Sequence, residues 1–241
     1  MKVNPFTALV LGATMSLAGC GGASNSSNDS TRSPVHLYFH NQLTDFTNAS
    51  DAAVTVSVYP RDSSNALFDS VSYSTDGQSG MSFTLNADTE KVPLHIKNST
   101  TDLLDTSSSL VAGGNYTQVF MGDITDGNLK LGSYRQSVQS IPSNYVRIRF
   151  IHALSQHTGA INVAVEGATV VTGLAYGDVS DYQQGSLSSS TQLQATISDS
   201  SGTLGTASCA LSLGKSYDVI VAHKGYSDSN LALFCQQVEG S

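Results

Sequence analysis

The stretch VRIRFIHALSQHTGAINVAVEGATVVTGLAYGDVSDY, residues 146–182, decides the fold of this chain. Within it, INVAV at residues 161–165 places an apolar side chain at every second position. That period is typical of a β-strand with one buried face. The pair Glu166-Gly167 follows as a turn signal, and a second apolar run begins directly after it. Alternating runs divided by turns favour a half-buried antiparallel sheet over a helix.

The same pattern continues on both sides of this stretch. VTVSV at residues 54–58 alternates in the same way, while YTQVFM at 116–121 and YDVIVA at 217–222 are more continuously apolar. Continuous apolar runs are expected of central strands that are buried on both faces. About seven short strands in each ~100 residues predict an all-β protein built from Ig-like or transthyretin-like β-sandwiches.

The two halves of the chain repeat each other in the same order. Val56 and Val58 align with Val163 and Val165, 107 positions later. The other aligned elements are residues 36–39 with 147–150, 67–73 with 170–176, 128–131 with 230–233, and Gly113-x-x-Tyr116 with Gly214-x-x-Tyr217. An internal repeat of this length predicts two tandem sandwich domains, residues 34–142 and 143–241, with the boundary at Pro142.

The second half resembles the DUF4397 domains of bacterial exported proteins. The resemblance covers residues 145–237 well and residues 34–139 weakly, because the first half lacks the His-Ala and Tyr-Gly elements. Asn162 stands where the family has an acidic residue. The matching residues are Val146, Arg147, His152, Ala153, Leu174, Tyr176, Gly177, Ser180 and Tyr182. The resemblance implies a β-sandwich in an envelope or surface setting, and it implies no activity.

Residues 1–19 have the layout of an export signal. A single positive charge at Lys2 precedes PFTALVLGATMSLA, an uncharged run at residues 5–18 that is short for a membrane-spanning helix. The sequence LAGC at residues 17–20 resembles the bacterial lipobox. That resemblance implies cleavage before Cys20, a diacylglycerol on its thiol, and a fatty acid such as palmitate on its amino group. The alternative is an ordinary signal peptide that leaves Cys20 as a free thiol.

The residues after Cys20 predict where such an anchor would hold the protein. GGASNSSNDSTRS, residues 21–33, has no apolar periodicity and is typical of a tether. Gly21 occupies the position at which lipoproteins retained in the inner membrane usually carry Asp. The resemblance therefore implies the cell outer membrane, with the acyl chains as the membrane partner.

Removing Cys20 leaves an even pair of cysteines, Cys209 and Cys235. Exported proteins occupy oxidising compartments, so a disulfide between them is the expected state. The alternative is two buried free thiols. The net charge of −8 disfavours a nucleic-acid partner, because an acidic surface repels phosphate backbones.

Few residues of the sequence are candidates for a catalytic, ligand-binding or metal-binding role. His152, after the first strand of the second half, either fixes a loop by hydrogen bonding or serves as a base. Tyr176 and Tyr182 either contact a ligand or hold a loop through their hydroxyls. Two acidic pairs, Asp123 with Asp126 and Asp178 with Asp181, are turn residues or oxygen donors to Ca²⁺.

The sequence lacks the common nucleophile, zinc-protease and phosphate-loop motifs. We therefore predict no catalytic residues, no metal and no cofactor. The predicted function is a non-enzymatic binding or structural role in the cell envelope, with an envelope protein or a polysaccharide as partner. The alternatives are an envelope hydrolase that uses His152, and an adhesin or matrix subunit that assembles through edge strands.

Overall fold

The computed structural model describes residues 32–47, 54–73, 81–99, 101–238 and 240. Cys20, residues 21–31 of the tether and the signal segment lie outside the described residues. Within the described ranges the protein is all-β and contains no helix, so no helix there could span a membrane. The strands are β1 Val35–Thr44, β2 Val56–Pro60, β3 Phe68–Val71, β4 Met81–Phe83, β5 Thr89–Lys97, β6 Asp102–Val111, β7 Asn115–Asp123, β8 Lys130–Arg135, β9 Val146–His152, β10 Ile161–Val165, β11 Ala168–Leu174, β12 Gln183–Gly185, β13 Gln192–Asp199, β14 Gly202–Ala210, β15 Ser216–His223 and β16 Leu231–Gln237.

These sixteen strands, counted over the described ranges, form four sheets of four strands each. The first half contains an inner sheet, β4-β1-β7-β8, and an outer sheet, β3-β2-β5-β6. The second half repeats both with every strand number raised by eight: inner sheet β12-β9-β15-β16 and outer sheet β11-β10-β13-β14. The predicted all-β sandwich fold is confirmed.

Both inner sheets contain one parallel pair at their centre. β1 runs parallel to β7, and β9 runs parallel to β15. Tyr116 and Tyr217, near the starts of β7 and β15, hold equivalent loops: their hydroxyls accept the backbone N–H groups of Val111 at 2.9 Å and Ser212 at 2.8 Å. The two halves therefore share small structural devices as well as topology.

One part of the predicted repeat alignment is wrong by two residues. In the first half, Val56 lies opposite Val71 of β3. The equivalent of Val71 in the second half is Leu174 of β11, which lies opposite Ile161 and not opposite Val163. The sequence could not reveal the error, because side chains in a strand alternate with a period of two. A shift of two residues leaves the same apolar face toward the core.

Each half has a hydrophobic core between its inner and outer sheets. A third cluster lies between the two inner sheets and joins the halves; it includes Val119, Met121, Ile151, Ile220 and Phe234. β9 and β15 are consequently buried at every residue, since each has a sheet on both faces. The four sheets stack in the order outer, inner, inner, outer, and this explains the continuous apolar runs of the central strands.

The disulfide between Cys209 and Cys235 is present, with the two Cα atoms 5.8 Å apart. It joins β14 of the outer sheet to β16 of the inner sheet in the second half. The predicted pairing is confirmed over the alternative of two free thiols.

Candidate functional site

His152 is fully buried at the end of β9, where both ring nitrogens are engaged. Nδ1 accepts the backbone N–H of Leu154 at 3.2 Å, and Nε2 lies 3.0 Å from the carbonyl oxygen of Gly159. This arrangement requires the neutral tautomer with the proton on Nε2. Burial lowers the pKa of His152 below its ordinary value, so the ring stays neutral at pH 7.

Asn41 takes the place of His152 in the first half. Its Oδ1 accepts the backbone N–H of Leu43 at 3.1 Å, and its Nδ2 donates to the carbonyl oxygen of Val54 at 3.2 Å. An amide and an imidazole both offer one acceptor and one donor, so they can hold the same loop. Because Asn41 cannot exchange a proton, the equivalent geometry favours a loop-fixing role for His152. The alignment of the two halves by sequence did not reveal this equivalence, because Asn and His are different residue types and only the structure shows that they make the same contact.

Tyr176 lies against His152. Their rings meet edge to face, with centroids 5.6 Å apart. The Tyr176 hydroxyl is buried without a hydrogen-bond partner among the described residues, and burial raises its pKa. Its backbone oxygen accepts the ammonium of Lys130, from the first half, at 3.3 Å. The ring is half-buried and packs against His152, which favours a structural role for Tyr176.

Tyr182 belongs to a different cluster, centred on the fully buried Asp218 of β15. The Arg149 guanidinium donates to both oxygens of this carboxylate, at 2.7 and 2.9 Å. The hydroxyls of Tyr182 and of Thr117 each donate to it at 2.6 Å. Since Thr117 lies on β7, this set of four residues, the interdomain clamp, ties the two halves together.

Charge and burial act together in the clamp. Burial lowers the pKa of Arg149, but hydrogen bonding and the charge of Asp218 outweigh it and raise the pKa overall. Burial and the same charge raise the pKa of Tyr182, so its phenol stays protonated and keeps donating. The guanidinium carbons of Arg147 and Arg149 lie 3.7 and 4.4 Å from the centre of the Tyr182 ring. Asp218 is the one charged residue in the apolar run YDVIVA, and such a residue is a sequence signal that could have indicated a buried cationic partner.

The acidic pair at Asp123 and Asp126 forms a turn. Asp123 Oδ1 accepts the backbone N–H groups of Thr125 at 2.9 Å and Asp126 at 3.2 Å. The described residues contain no group of three or more His, Cys, Asp or Glu side chains arranged to hold a metal ion. Asp178 and Asp181, by contrast, are exposed on the wall of a groove.

This groove, about 390 Å³ in volume, runs between β11 and the segment 175–183 that leads into β12. It is lined by Val170, Val171, Thr172, Gly173, Leu174, Ala175, Asp178, Val179, Ser180, Asp181 and Gln183. The lining combines apolar side chains with two carboxylates and includes no basic residue. The groove is thus an open cleft of mixed polar and apolar lining, with two carboxylates on one wall.

The segment beside the groove is firmly held. The backbone N–H of Phe150 donates to Ser180 Oγ at 2.9 Å. The backbone N–H of Ser180 donates in turn to the carbonyl oxygen of Phe150, also at 2.9 Å. Val179 forms an isolated antiparallel bridge with Ile151 of β9. Opposite it, β11 is the edge strand of its sheet and pairs only with β10. The groove is therefore preformed, with an unpaired strand edge as one wall.

Comparison with known proteins does not assign the chain to a family: no family model and no curated protein matches it. One similar solved structure is a family 41 carbohydrate-binding module from streptococcal virulence factors, described for alpha-glucan recognition. It is 14% identical, with 83% of this chain and 96% of that chain covered and a TM-score of 0.25. Another is the family 26 module CBMbc from Eubacterium rectale Amy13K in complex with maltoheptaose. It is 11% identical, with coverages of 86% and 97% and a TM-score of 0.23.

Proposed function

We propose that this protein is a lipid-anchored, non-enzymatic binding protein of the cell outer membrane, with the β11 groove as its ligand site. The observation that supports the proposal is the coincidence, at one place, of an open cleft with polar and apolar walls, two exposed carboxylates and the edge strand β11. Small ligand sites combine apolar walls with a few polar groups in this way.

The internal contacts of His152 argue against the hydrolase alternative. Both of its ring nitrogens are used within the protein, and Asn41 does the same work in the first half. A general base needs a nitrogen within hydrogen-bond reach of the proton that it removes. His152 is fully buried and offers no such nitrogen to a substrate.

The proposed anchor limits how far the protein can lie from the bilayer. The backbone N–H of Gly113 donates to the carbonyl oxygen of Ser33 at 3.0 Å, so the chain enters the first half beside this turn. The twelve steps from Cys20 to Arg32 span at most about 40 Å when fully extended. With Cys20 acylated, Arg32 lies within about 40 Å of the anchor, close enough for the groove to meet envelope partners.

Photo-crosslinking in intact cells of the native host tests the groove. The full-length protein carries Thr172→p-benzoylphenylalanine in one strain and Asp69→p-benzoylphenylalanine in another. The two positions are equivalent in the repeat, and both are exposed. We expect a discrete adduct at position 172 alone, and digestion of that adduct with protease or glycosidase then gives its chemical class. No adduct, or equal adducts at both positions, contradicts the proposal.

A further inference from the structure

We infer that the occupant of the β11 groove is an extended peptide segment carrying Lys or Arg, which pairs with β11 as an added strand. This inference rests on the proposed function and names its ligand. The backbone along the edge, the contact of Gln183, and the charge of the walls support it.

β11 is an end strand of its sheet, so its outer edge is where a partner strand could pair, although the strand is irregular. The paired positions of β10 and β11 leave out Val170, Thr172 and Gly173, because the register shifts twice along this pair. Gly173 adopts a φ of 68°, in the left-handed region, and its N–H donates to Asn162 Oδ1 at 2.9 Å. β11 thus bends at Gly173, while the seven-residue strand keeps one edge outside the sheet.

Gln183 already makes one contact of the kind that an added strand would make. Its side-chain amide donates to the carbonyl oxygen of Val170, across the groove from β11. In strand addition, the backbone N–H groups of a bound peptide donate to edge carbonyls in the same way. The Val170 carbonyl can therefore accept an amide N–H from the groove side, and a bound strand would replace the Gln183 side chain there.

The walls of the groove select the side chains of the occupant. Val171 and Leu174 are buried and supply the apolar floor, which suits the alternate side chains of a strand. Asp178 and Asp181 are exposed on the wall, and no basic residue lines the groove. With a net charge of −8 for the whole chain, a cationic side chain is the complementary choice.

The described part of the equivalent edge in the first half differs from β11. β3 has four residues, and its Asp69 carboxylate accepts the hydroxyls of Ser57 at 2.8 Å and of Ser70 at 3.2 Å. Asp69 is therefore engaged within its own sheet. This difference makes the first half a matched control within the same molecule.

The test measures binding of a labelled probe peptide, acetyl-TVTKVTVTS-amide, to the full-length protein in detergent. Fluorescence anisotropy reports affinity, and hydrogen–deuterium exchange reports the site. We expect saturable binding that slows exchange across residues 168–174. A fully N-methylated peptide should lose binding, since it cannot donate to a strand edge. The peptide with Glu in place of Lys, and the variant Asp181→Asn, should bind more weakly, whereas Asp69→Asn should leave binding unchanged.

Equal binding of the N-methylated peptide would exclude strand addition, and equal binding of the Glu peptide would exclude the charge selection. Slowed exchange elsewhere in the chain would place the site outside the groove. If no peptide binds while the crosslink at position 172 still forms in cells, the inference is wrong and the proposed function stands. If the crosslink also fails, both are wrong.

Discussion

The two halves of the molecule stabilise equivalent positions of the same fold with different side chains. Where the second half joins its sheets by the Cys209–Cys235 disulfide, the first half has Ser108 and Ser133, whose hydroxyls both accept the amide of Gln118, at 3.1 and 3.4 Å. Where the second half braces a loop with His152, the first half uses Asn41. One fold thus tolerates a covalent bond or neutral hydrogen bonds at equivalent positions, provided that the geometry is kept.

Comparison of the two halves distinguishes the contacts that stabilise the fold from the features that concern function. Where the two halves carry different residues that make the same contact, as at His152 and Asn41, the contact serves to hold the fold together. Features that differ between equivalent described positions indicate specialisation, as where the seven-residue edge strand β11 corresponds to the four-residue β3. The following predictions sharpen or break this division, beginning with the largest expected effect.

The clamp should give the largest loss of stability. Asp218→Ala leaves the Arg149 guanidinium buried without its carboxylate, and breaking a buried pair in this way costs about 3–5 kcal/mol. Urea denaturation of the full-length protein measures the change in the free energy of unfolding. The matched control is Asp88→Ala, which removes an exposed ion pair with Arg32 and should change little. Equal losses in the two variants would mean that the clamp does not hold the halves together.

The disulfide should give the next largest effect. The bond closes a loop with a sequence separation of 26, and the chain-entropy model assigns such a loop about 3–4 kcal/mol. Replacing both cysteines with Ser copies the residues of the first half at these positions. The second half has Val219 where the first has Gln118, so the new hydroxyls gain no amide bridge. Unchanged thermal unfolding under non-reducing conditions would contradict this expectation.

Replacement of His152 should separate hydrogen bonding from proton chemistry. His152→Ala strands the Leu154 N–H and the Gly159 carbonyl and should cost about 1–3 kcal/mol. His152→Asn copies the first half and should retain most of the stability, with the groove crosslink at position 172 unchanged. A crosslink that disappears in His152→Asn while the fold is intact would give His152 a direct part in binding.

The smallest effect concerns pH. Burial lowers the folded-state pKa of His152, so its contribution to stability is complete above the unfolded value of about 6.5. Below that pH the unfolded chain binds the proton more readily, and the contribution falls until the folded pKa is reached. The stability advantage of the native chain over His152→Asn should therefore shrink between pH 7 and pH 5. An advantage that grows as the pH falls would mean that the buried ring is protonated.

The sequence predicted the fold class because strand periodicity is a local signal: INVAV at residues 161–165 is a strand with those bounds. It also predicted the repeat, apart from the two-residue shift at Val56. It did not predict the packing of the two inner sheets, because a strand buried on both faces looks the same whichever layer covers it. The groove was missed for a related reason. Its walls come from an edge strand and a loop whose approach depends on tertiary contacts such as that of Ser180 with Phe150.

The placement of the groove at a membrane depends on the chemistry of Cys20, and intact mass spectrometry of the protein from its native host measures it directly. We predict a chain that begins at Cys20 and carries the added mass of a diacylglycerol and an amide-linked fatty acid. A chain with the unmodified thiol, or with residues 1–19 still attached, would contradict the proposed anchor and the envelope role built on it.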